Sequence, residues 1–230
     1  MPPPPSNIVF ARVETPTDET FVHDANDIMA SVMGQGRYPA HEASLALTGG
    51  DMTRVARLGG LMIRPISLLS GVGHAYTARD EIGALVGFLL FTLPGQLMLS
   101  TDEQRKMGMY EYMADLSPEV QEYFAETMGK EVPKLNDQMF GIEAAERTTY
   151  WCNMAMVRAE YQGKGIAKRM FQMAFDEAAK LGATVALTTT NRVNVPIYEK
   201  IGFTLRGEKT VPSPWVNWMM WYFSKDTEAQ

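Results

Sequence analysis

A short glycine loop, Gln162-Gly163-Lys164-Gly165-Ile166-Ala167, stands between an apolar run that ends at Val157 and a stretch with helical periodicity. A strand, a glycine loop and a helix in this order direct free backbone N–H groups and the positive end of a helix dipole toward an anion. Because glycine lacks a Cβ, a phosphate can approach this main chain closely. The loop therefore predicts a pyrophosphate cradle. The competing interpretation is a surface turn before an amphipathic helix.

Three phosphate-binding patterns compete for this loop. A P-loop needs Ser or Thr after its lysine, but Gly165 follows Lys164. A dinucleotide fingerprint needs a third glycine, but that position holds Lys168. The third pattern, Gln/Arg-x-x-Gly-x-Gly/Ala, agrees with residues 162–167.

A second motif lies downstream of the loop, after one predicted helix and one predicted strand. Asn191 is followed seven residues later by Tyr198, and then by Gly202-Phe203 at the start of the next strand. With these two motifs in this order, the sequence resembles the GNAT N-acetyltransferases. The resemblance is strongest over residues 147–223, which it marks as the acetyl-CoA-binding half.

The resemblance implies how acetyl-CoA would be held. The strand before the loop parts from its neighbour, and main-chain groups near Ala155 and Val157 pair with the pantetheine arm in the gap. The amides of residues 163–167 hold the pyrophosphate, and Gln162 braces the loop. The residues so assigned to cofactor binding are Ala155, Val157, Gln162, Gly163, Lys164, Gly165, Ile166, Ala167 and Asn191.

Two side chains of the second motif carry implied roles. Tyr198 occupies the family's general-acid position, from which it would protonate the departing thiolate. The alternative is a core tyrosine whose hydroxyl is satisfied by the backbone. Asn191 would hydrogen-bond the cofactor or the Tyr198 loop, and the alternative is a helix N-cap.

No general base is evident. Several GNAT subfamilies place a carboxylate on the strand before the cradle, on the face that regular alternation gives to Trp151, Asn153 and Ala155, and none of these is acidic. The ammonium proton must then go to a water relay or to a carboxylate in the variable parts of the chain, for which the candidates are Asp80, Glu81 and Glu146. The three histidines, His23, His41 and His74, lack ligand spacing, so the sequence predicts neither a metal site nor a catalytic triad.

The leading hypothesis is an N-acetyltransferase that transfers the acetyl group of acetyl-CoA to a small amine by direct attack in a ternary complex. One alternative is a protein lysine or N-terminal acetyltransferase, which needs an open groove for its peptide. Another is a catalytically silent CoA-binding regulatory module, which the missing carboxylate keeps open.

The predicted fold is α/β, a mixed sheet flanked by helices in the order β-α-(α)-β-β-insertion-β-α-β-α-β-β within a single domain of residues 1–230. A helix from Asp51 to about Ile63 ends or kinks at Pro65. The insertion, roughly residues 96–141 between the third and fourth strands, is predicted to be a helical hairpin. Its first helix would have a capping box at Ser100 and Glu103 and an apolar face of Met107, Tyr110 and Met113. Its second would start at Ser117-Pro118.

Composition limits the classes of partner and compartment. The chain has 230 residues, a net charge of −6 and no basic run, so nucleic acid is excluded as a partner. The single cysteine, Cys152, fits a reducing compartment and is predicted to be a small buried hydrophobe. Residues 1–6 predict a disordered proline tail without the features of a signal peptide, and no apolar run is long enough to span a membrane. We therefore expect a cytoplasmic protein, with a homodimer left open.

Overall fold

A single seven-stranded mixed sheet organises the chain, which the computed structural model describes over residues 4–5, 7–34 and 41–227. The strands are β1 (Val9–Val13), β2 (Gly73–Arg79), β3 (Leu85–Thr92), β4 (Tyr150–Val157), β5 (Val185–Thr189), β6 (Thr204–Val211) and β7 (Trp218–Lys225). They lie side by side in the order β1-β2-β3-β4-β5-β7-β6. Most of the proline tail falls outside the described residues.

Helices follow the strands in the predicted order. They are α1 (Glu19–Gly34), α2 (His41–Leu47), α3 (Val55–Leu68), α4 (Asp102–Arg105), α5 (Met109–Ala114), α6 (Pro118–Tyr123), α7 (Val132–Phe140), α8 (Ala145–Thr148), α9 (Ile166–Leu181) and α10 (Val195–Ile201). The predicted mixed α/β architecture is confirmed. One boundary is wrong, because α3 continues past Pro65 to Leu68.

Two layers of helices cover the sheet. On one face, which we call the α9 face, α9 and α10 pack on β4, β5 and β7 through residues such as Phe171, Tyr198 and Phe223. On the other, which we call the insertion face, α1 and α3 cover β2 and β3. The chain between β3 and β4 covers β7 on that same face. The sheet is therefore buried on both sides at its centre.

The insertion between β3 and β4 differs from the predicted hairpin. It is a series of short helices, with a π-helical segment, Phe124–Glu131, joining α6 to α7. The cap of α4 is Thr101, whose hydroxyl accepts from the Gln104 amide, while the Gln104 side chain accepts from the Ser100 amide. The predicted capping box is thus one residue off, because Thr-x-x-Gln serves as well as Ser-x-x-Glu.

The buried side of the insertion is also not the predicted one. Tyr112, Leu116 and Val120 are nearly inaccessible and pack against α3, whereas Tyr110 is 44% exposed. The Tyr112 hydroxyl donates to the Leu47 carbonyl at 2.9 Å. The insertion therefore forms part of the core, whereas the sequence had suggested a hairpin laid over it.

Candidate active site

A gap opens between β4 and β5 because their parallel pairing stops at Cys152 and Leu187, although β4 continues to Val157. This half of β4 is not paired with β5, but it is still paired with β3. Just beyond its end, the Arg158 amide donates to the Val86 carbonyl of β3. In an antiparallel ladder the backbone groups of alternate residues point to opposite sides. The amides and carbonyls of Ala155 and Val157 therefore face the gap, where the sequence placed the pantetheine arm.

The glycine loop forms a concave turn at the N-terminus of α9. Gly163 and Gly165 have φ angles of +74° and +76°, in the left-handed region that strains any residue with a Cβ. No atom lies within 4 Å of the place where a Cβ of Gly163 would stand, so the loop has open space on that side. Ile166 begins the helix and its side chain is buried, which leaves its amide as the group available to an anion.

The charge of the first turn of α9 also favours an anion, and sequence reasoning overlooked this feature. The turn contains no acidic residue, although acids are the side chains that a helix N-terminus stabilises. Instead it carries Lys168 and Arg169, both exposed, and Lys164 precedes it with its Nζ 5.1 Å from the centre of the Tyr161 ring. Positive side chains at the N-terminus of a helix are repelled by the positive end of the helix dipole, and a bound anion would relieve this repulsion. Checking the loop for basic residues would have found this signal.

Two polar side chains hold the loops on either side of the gap. Gln162 Nε2 donates to the Val157 carbonyl at 2.9 Å, which ties the glycine loop to the end of β4. Asn191 Oδ1 accepts from the Val193 amide at 3.1 Å and caps the short helical turn before α10. Asn191 is therefore an N-cap residue, as in the alternative interpretation. The predicted contact of Asn191 with the cofactor stays a prediction.

Tyr198 lies on α10, on the α9 face, and is 8% exposed. Its ring contacts Phe171, Phe203 and Phe223 at centroid distances of 5.3–5.8 Å. Among the described residues, its hydroxyl has no hydrogen-bond partner, from the backbone or from a side chain. Burial, assisted by the Cys152 thiol group, raises the pKa of Tyr198, so the hydroxyl keeps its proton at neutral pH.

A β-bulge at Asn153 corrects the predicted faces of β4. Leu90 pairs with Met154 and Phe91 with Cys152, so that Asn153 is an extra residue. The bulge moves Ala155 to the α9 face, while Trp151 stays on the insertion face. The predicted shared face of Trp151, Asn153 and Ala155 is therefore wrong, because regular alternation does not hold across a bulge.

The three candidate bases have different surroundings. Asp80 caps the β2–β3 turn by accepting from the amides of Ile82 and Ala84, and Glu81 is exposed in that turn. This turn adjoins the glycine loop, since Asp80 Oδ2 lies 3.4 Å from the Tyr161 hydroxyl. Glu146 instead lies beneath α7, where desolvation raises the pKa of its carboxyl.

The remaining predictions concern the cysteine, a metal site and a membrane-spanning segment. Cys152 is buried and unpaired, as predicted, and burial raises the pKa of its thiol. The described residues include no group of three or more potential metal ligands. None of the described helices is long and apolar enough to cross a membrane.

The comparisons with known proteins agree with this geometry. Residues 120–205 match the family model of the acetyltransferase (GNAT) domain. Over this region the chain resembles a GNAT acetyltransferase. The match covers the cradle and Tyr198, and identifies the enzyme class as an acyltransferase. No curated protein matches the chain by sequence.

Solved structures show the same fold at low sequence identity. The mosquito protein named arylalkylamine N-acetyltransferase like 5b has 13% identity and a TM-score of 0.55. The similarity covers 95% of this chain and 99% of the mosquito chain. Arylalkylamine N-acetyltransferase 2 from Aedes aegypti has 14% identity and a TM-score of 0.54, with 96% and 99% covered. Arabidopsis thaliana NAA60 in complex with a bisubstrate analogue has 13% identity and a TM-score of 0.51, with 97% and 99% covered. At such low identity the structural similarity shows the fold alone, and that fold is the one of the GNAT proteins.

Proposed function

We propose that this GNAT enzyme transfers the acetyl group of acetyl-CoA to the amine of a small molecule in a ternary complex. The observation that carries the proposal is the gap between β4 and β5. At one end it has a glycine turn with open space for an anion and, on its α9 face, the hydroxyl of Tyr198, which has no hydrogen-bond partner among the described residues. GNAT proteins use acetyl-CoA, which has a pyrophosphate for the turn and a pantetheine arm for the gap.

The residues fit this cosubstrate in both charge and space. The left-handed glycines open the turn, and the first turn of α9 carries bases without acids. We assign the pyrophosphate to the amides of residues 163–167 and the pantetheine amides to the main chain of Ala155 and Val157. The Val157 carbonyl already accepts from Gln162 and keeps a second lone pair for a ligand.

The proton chemistry falls to Tyr198. Acetyl-CoA supplies a thioester that an amine can attack, and the departing thiolate needs a proton. The hydroxyl of Tyr198 stays protonated at neutral pH because burial raises its pKa, so it can donate that proton. A positioned acid of this kind contributes about 10²–10⁴ in rate.

The cover on the insertion face favours a small acceptor over a peptide. Insertion helices pack on β7 through Tyr123 and Phe140, where a peptide substrate would need an open groove. The Tyr123 hydroxyl accepts from Trp218 Nε1 at 2.8 Å, which fastens this cover. The protein-acetyltransferase alternative would require the cover to open.

The test is a measurement of CoA release across a panel of small amines, lysine peptides and N-terminal peptides. The proposal expects amine-dependent release of free CoA, with small amines outperforming peptides. Release with peptides alone would favour the protein-acetyltransferase alternative. Acetyl-CoA binding without release for any acceptor would favour the silent CoA-binding module.

A further inference from the structure

A polar pair under the insertion joins a buried amide to Glu146, one of the three candidate bases. Asn136 on α7 is 1% exposed, and its Nδ2 donates to Oε1 of Glu146 on α8 at 2.5 Å. The Oδ1 atom of Asn136 is buried and has no hydrogen-bond partner among the described residues. Carboxylate and amide oxygens together can accept several hydrogen bonds. The pair therefore has more acceptors than the protein supplies with donors.

The charge at this pair is also uncompensated. Glu146 is partly buried and forms no ion pair within the described ranges, although carboxylates withdrawn from water are ordinarily paired. Desolvation raises its pKa most, the Asn136 bond lowers it, and the Asp137 carboxylate raises it. The other charged neighbours in the segment, Glu143 and Arg147, are exposed. What would suit the pair is a cation that carries several N–H donors.

The pair lies close to the place where β4 leaves β5. Phe140, one turn after Asn136 on α7, has its ring 5.7 Å from Trp151 and 5.8 Å from Tyr222. Trp151 is two residues before the Asn153 bulge, and the β4–β5 pairing ends between them at Cys152. The pair is therefore on the insertion face, one helical turn from a ring that packs where the gap begins, whereas Tyr198 lies on the α9 face.

We propose that Glu146, held by Asn136, receives the ammonium group of the acceptor and removes its proton before attack. This inference rests on the proposed acetyl transfer and names the base for it. It also narrows the acceptor to amines that are protonated at neutral pH and small enough to fit beside Phe140 and Trp151. Asn136 is a positioning residue, since it acts on the acceptor through Glu146.

The proton balance is as follows. The carboxylate of Glu146 takes one proton from the ammonium, which frees the nitrogen lone pair. The C–N bond forms as the C–S bond breaks, the nitrogen loses its second proton to solvent, and the sulfur takes a proton from Tyr198. Tyr198 regains a proton from solvent and Glu146 releases one, so that each turnover yields one net proton from an ammonium substrate.

The test compares two acceptors that share a ring but differ in charge. Benzylamine is protonated at neutral pH, whereas aniline is neutral and needs no base before attack. Glu146→Gln keeps the size of the side chain and its acceptor for Asn136. We expect kcat/KM for benzylamine to fall about 100-fold, while that for aniline stays within about threefold. The matched control is Glu143→Gln, an exposed acid in the same segment, which should change neither.

A pH profile distinguishes this role from a purely structural one. Wild type and Glu146→Asp should lose benzylamine turnover on the acidic side as the carboxyl is protonated, and Glu146→Gln should lack this limb. Calorimetry with benzylamine and CoA, which cannot react, should show at least about tenfold weaker amine binding to Glu146→Gln. Benzyl alcohol should bind both proteins equally.

Clear results would overturn the inference. Equal turnover and binding of benzylamine by wild type and Glu146→Gln would do so, as would equal losses for benzylamine and aniline. Failure of the wild-type CoA complex to bind benzylamine would also overturn it. Failure of the wild type to bind acetyl-CoA is a different result, which would refute the proposed function itself.

Discussion

The hydroxyl of Tyr198 ends in a buried aromatic cluster without a hydrogen-bond partner among the described residues. The ring is buried, but its oxygen is not fully enclosed, so the hydroxyl is open to a ligand in the gap. The spacing of Asn191 and Tyr198 was enough to select this tyrosine from the sequence. Its lack of a partner was not predictable, because that depends on which side chains surround it.

Replacing Tyr198 with Phe tests the acid directly. The change removes only a hydroxyl that bonds to no described residue, so stability and CoA affinity should hold while turnover falls at least about tenfold. Tyr76→Phe is a useful contrast, because the Tyr76 hydroxyl bonds to Tyr150 in the core at 2.9 Å. It should lower the melting temperature and leave turnover unchanged. Steady-state kinetics and thermal melts measure both, and turnover by Tyr198→Phe within twofold of wild type would disprove the role.

At the scale of elements, sequence patterns located the strands and helices but not their irregularities. The glycine loop and α9 lie where the pattern placed them, because glycine and helical periodicity are local signals. The bulge at Asn153 was missed, because it depends on pairing with β3 and shifts Ala155 to the other face. The insertion was misassigned as a hairpin, because its buried face is set by contact with α3 and β7.

Two glycines at opposite ends of α9 form a matched pair for testing the cradle. Gly163 and Gly182 have φ angles of +74° and +61°, and no atom lies within 4 Å of the Cβ that each would gain. Alanine at either position should cost roughly 1–2 kcal/mol of stability through the left-handed backbone. Only Gly163→Ala places a methyl group where a phosphate would lie, so only it should weaken CoA binding. Equal CoA affinities by calorimetry would refute the cradle.

The attachment of the insertion can be tested at one hydrogen bond. Tyr123→Phe removes the acceptor of the buried Trp218 Nε1–H, and an unsatisfied buried donor costs about 1–3 kcal/mol. Tyr110→Phe is the control, since its hydroxyl bonds to Asp102 at the surface. Urea unfolding should show a clear loss for Tyr123→Phe and almost none for Tyr110→Phe. Equal stabilities would mean that the insertion is only loosely attached.

At the scale of the whole molecule, most of the net charge lies in one region. Residues 94–141 contain nine acidic and four basic residues, a net charge of −5 in a chain of −6. Several of these acids are exposed and paired along a helix, as Glu126 is with Lys130 and Asp102 with Lys106. A solvated surface explains this pattern, and so does a negative field that draws a cationic acceptor.

Ionic strength separates these two explanations. If the field guides the acceptor, raising salt from low to physiological concentration should raise the KM for benzylamine and leave that for aniline unchanged, because screening acts only on the charged amine. Steady-state kinetics at two salt concentrations measure this difference. Identical responses for both amines would assign the charge to solubility alone.

The central claim is that the gap and the glycine loop hold acetyl-CoA, and a thermal melt of the wild type with this cosubstrate tests it most directly. Acetyl-CoA at about 100 times its dissociation constant should add about 2.7 kcal/mol. For a chain of this size each kcal/mol raises the melting temperature by roughly 2–4 °C, so the account predicts a rise of about 5–11 °C. Gly165→Glu, which places a side chain and a like charge in the cradle, should abolish the rise. A wild-type melting temperature unchanged at saturating acetyl-CoA would contradict the account.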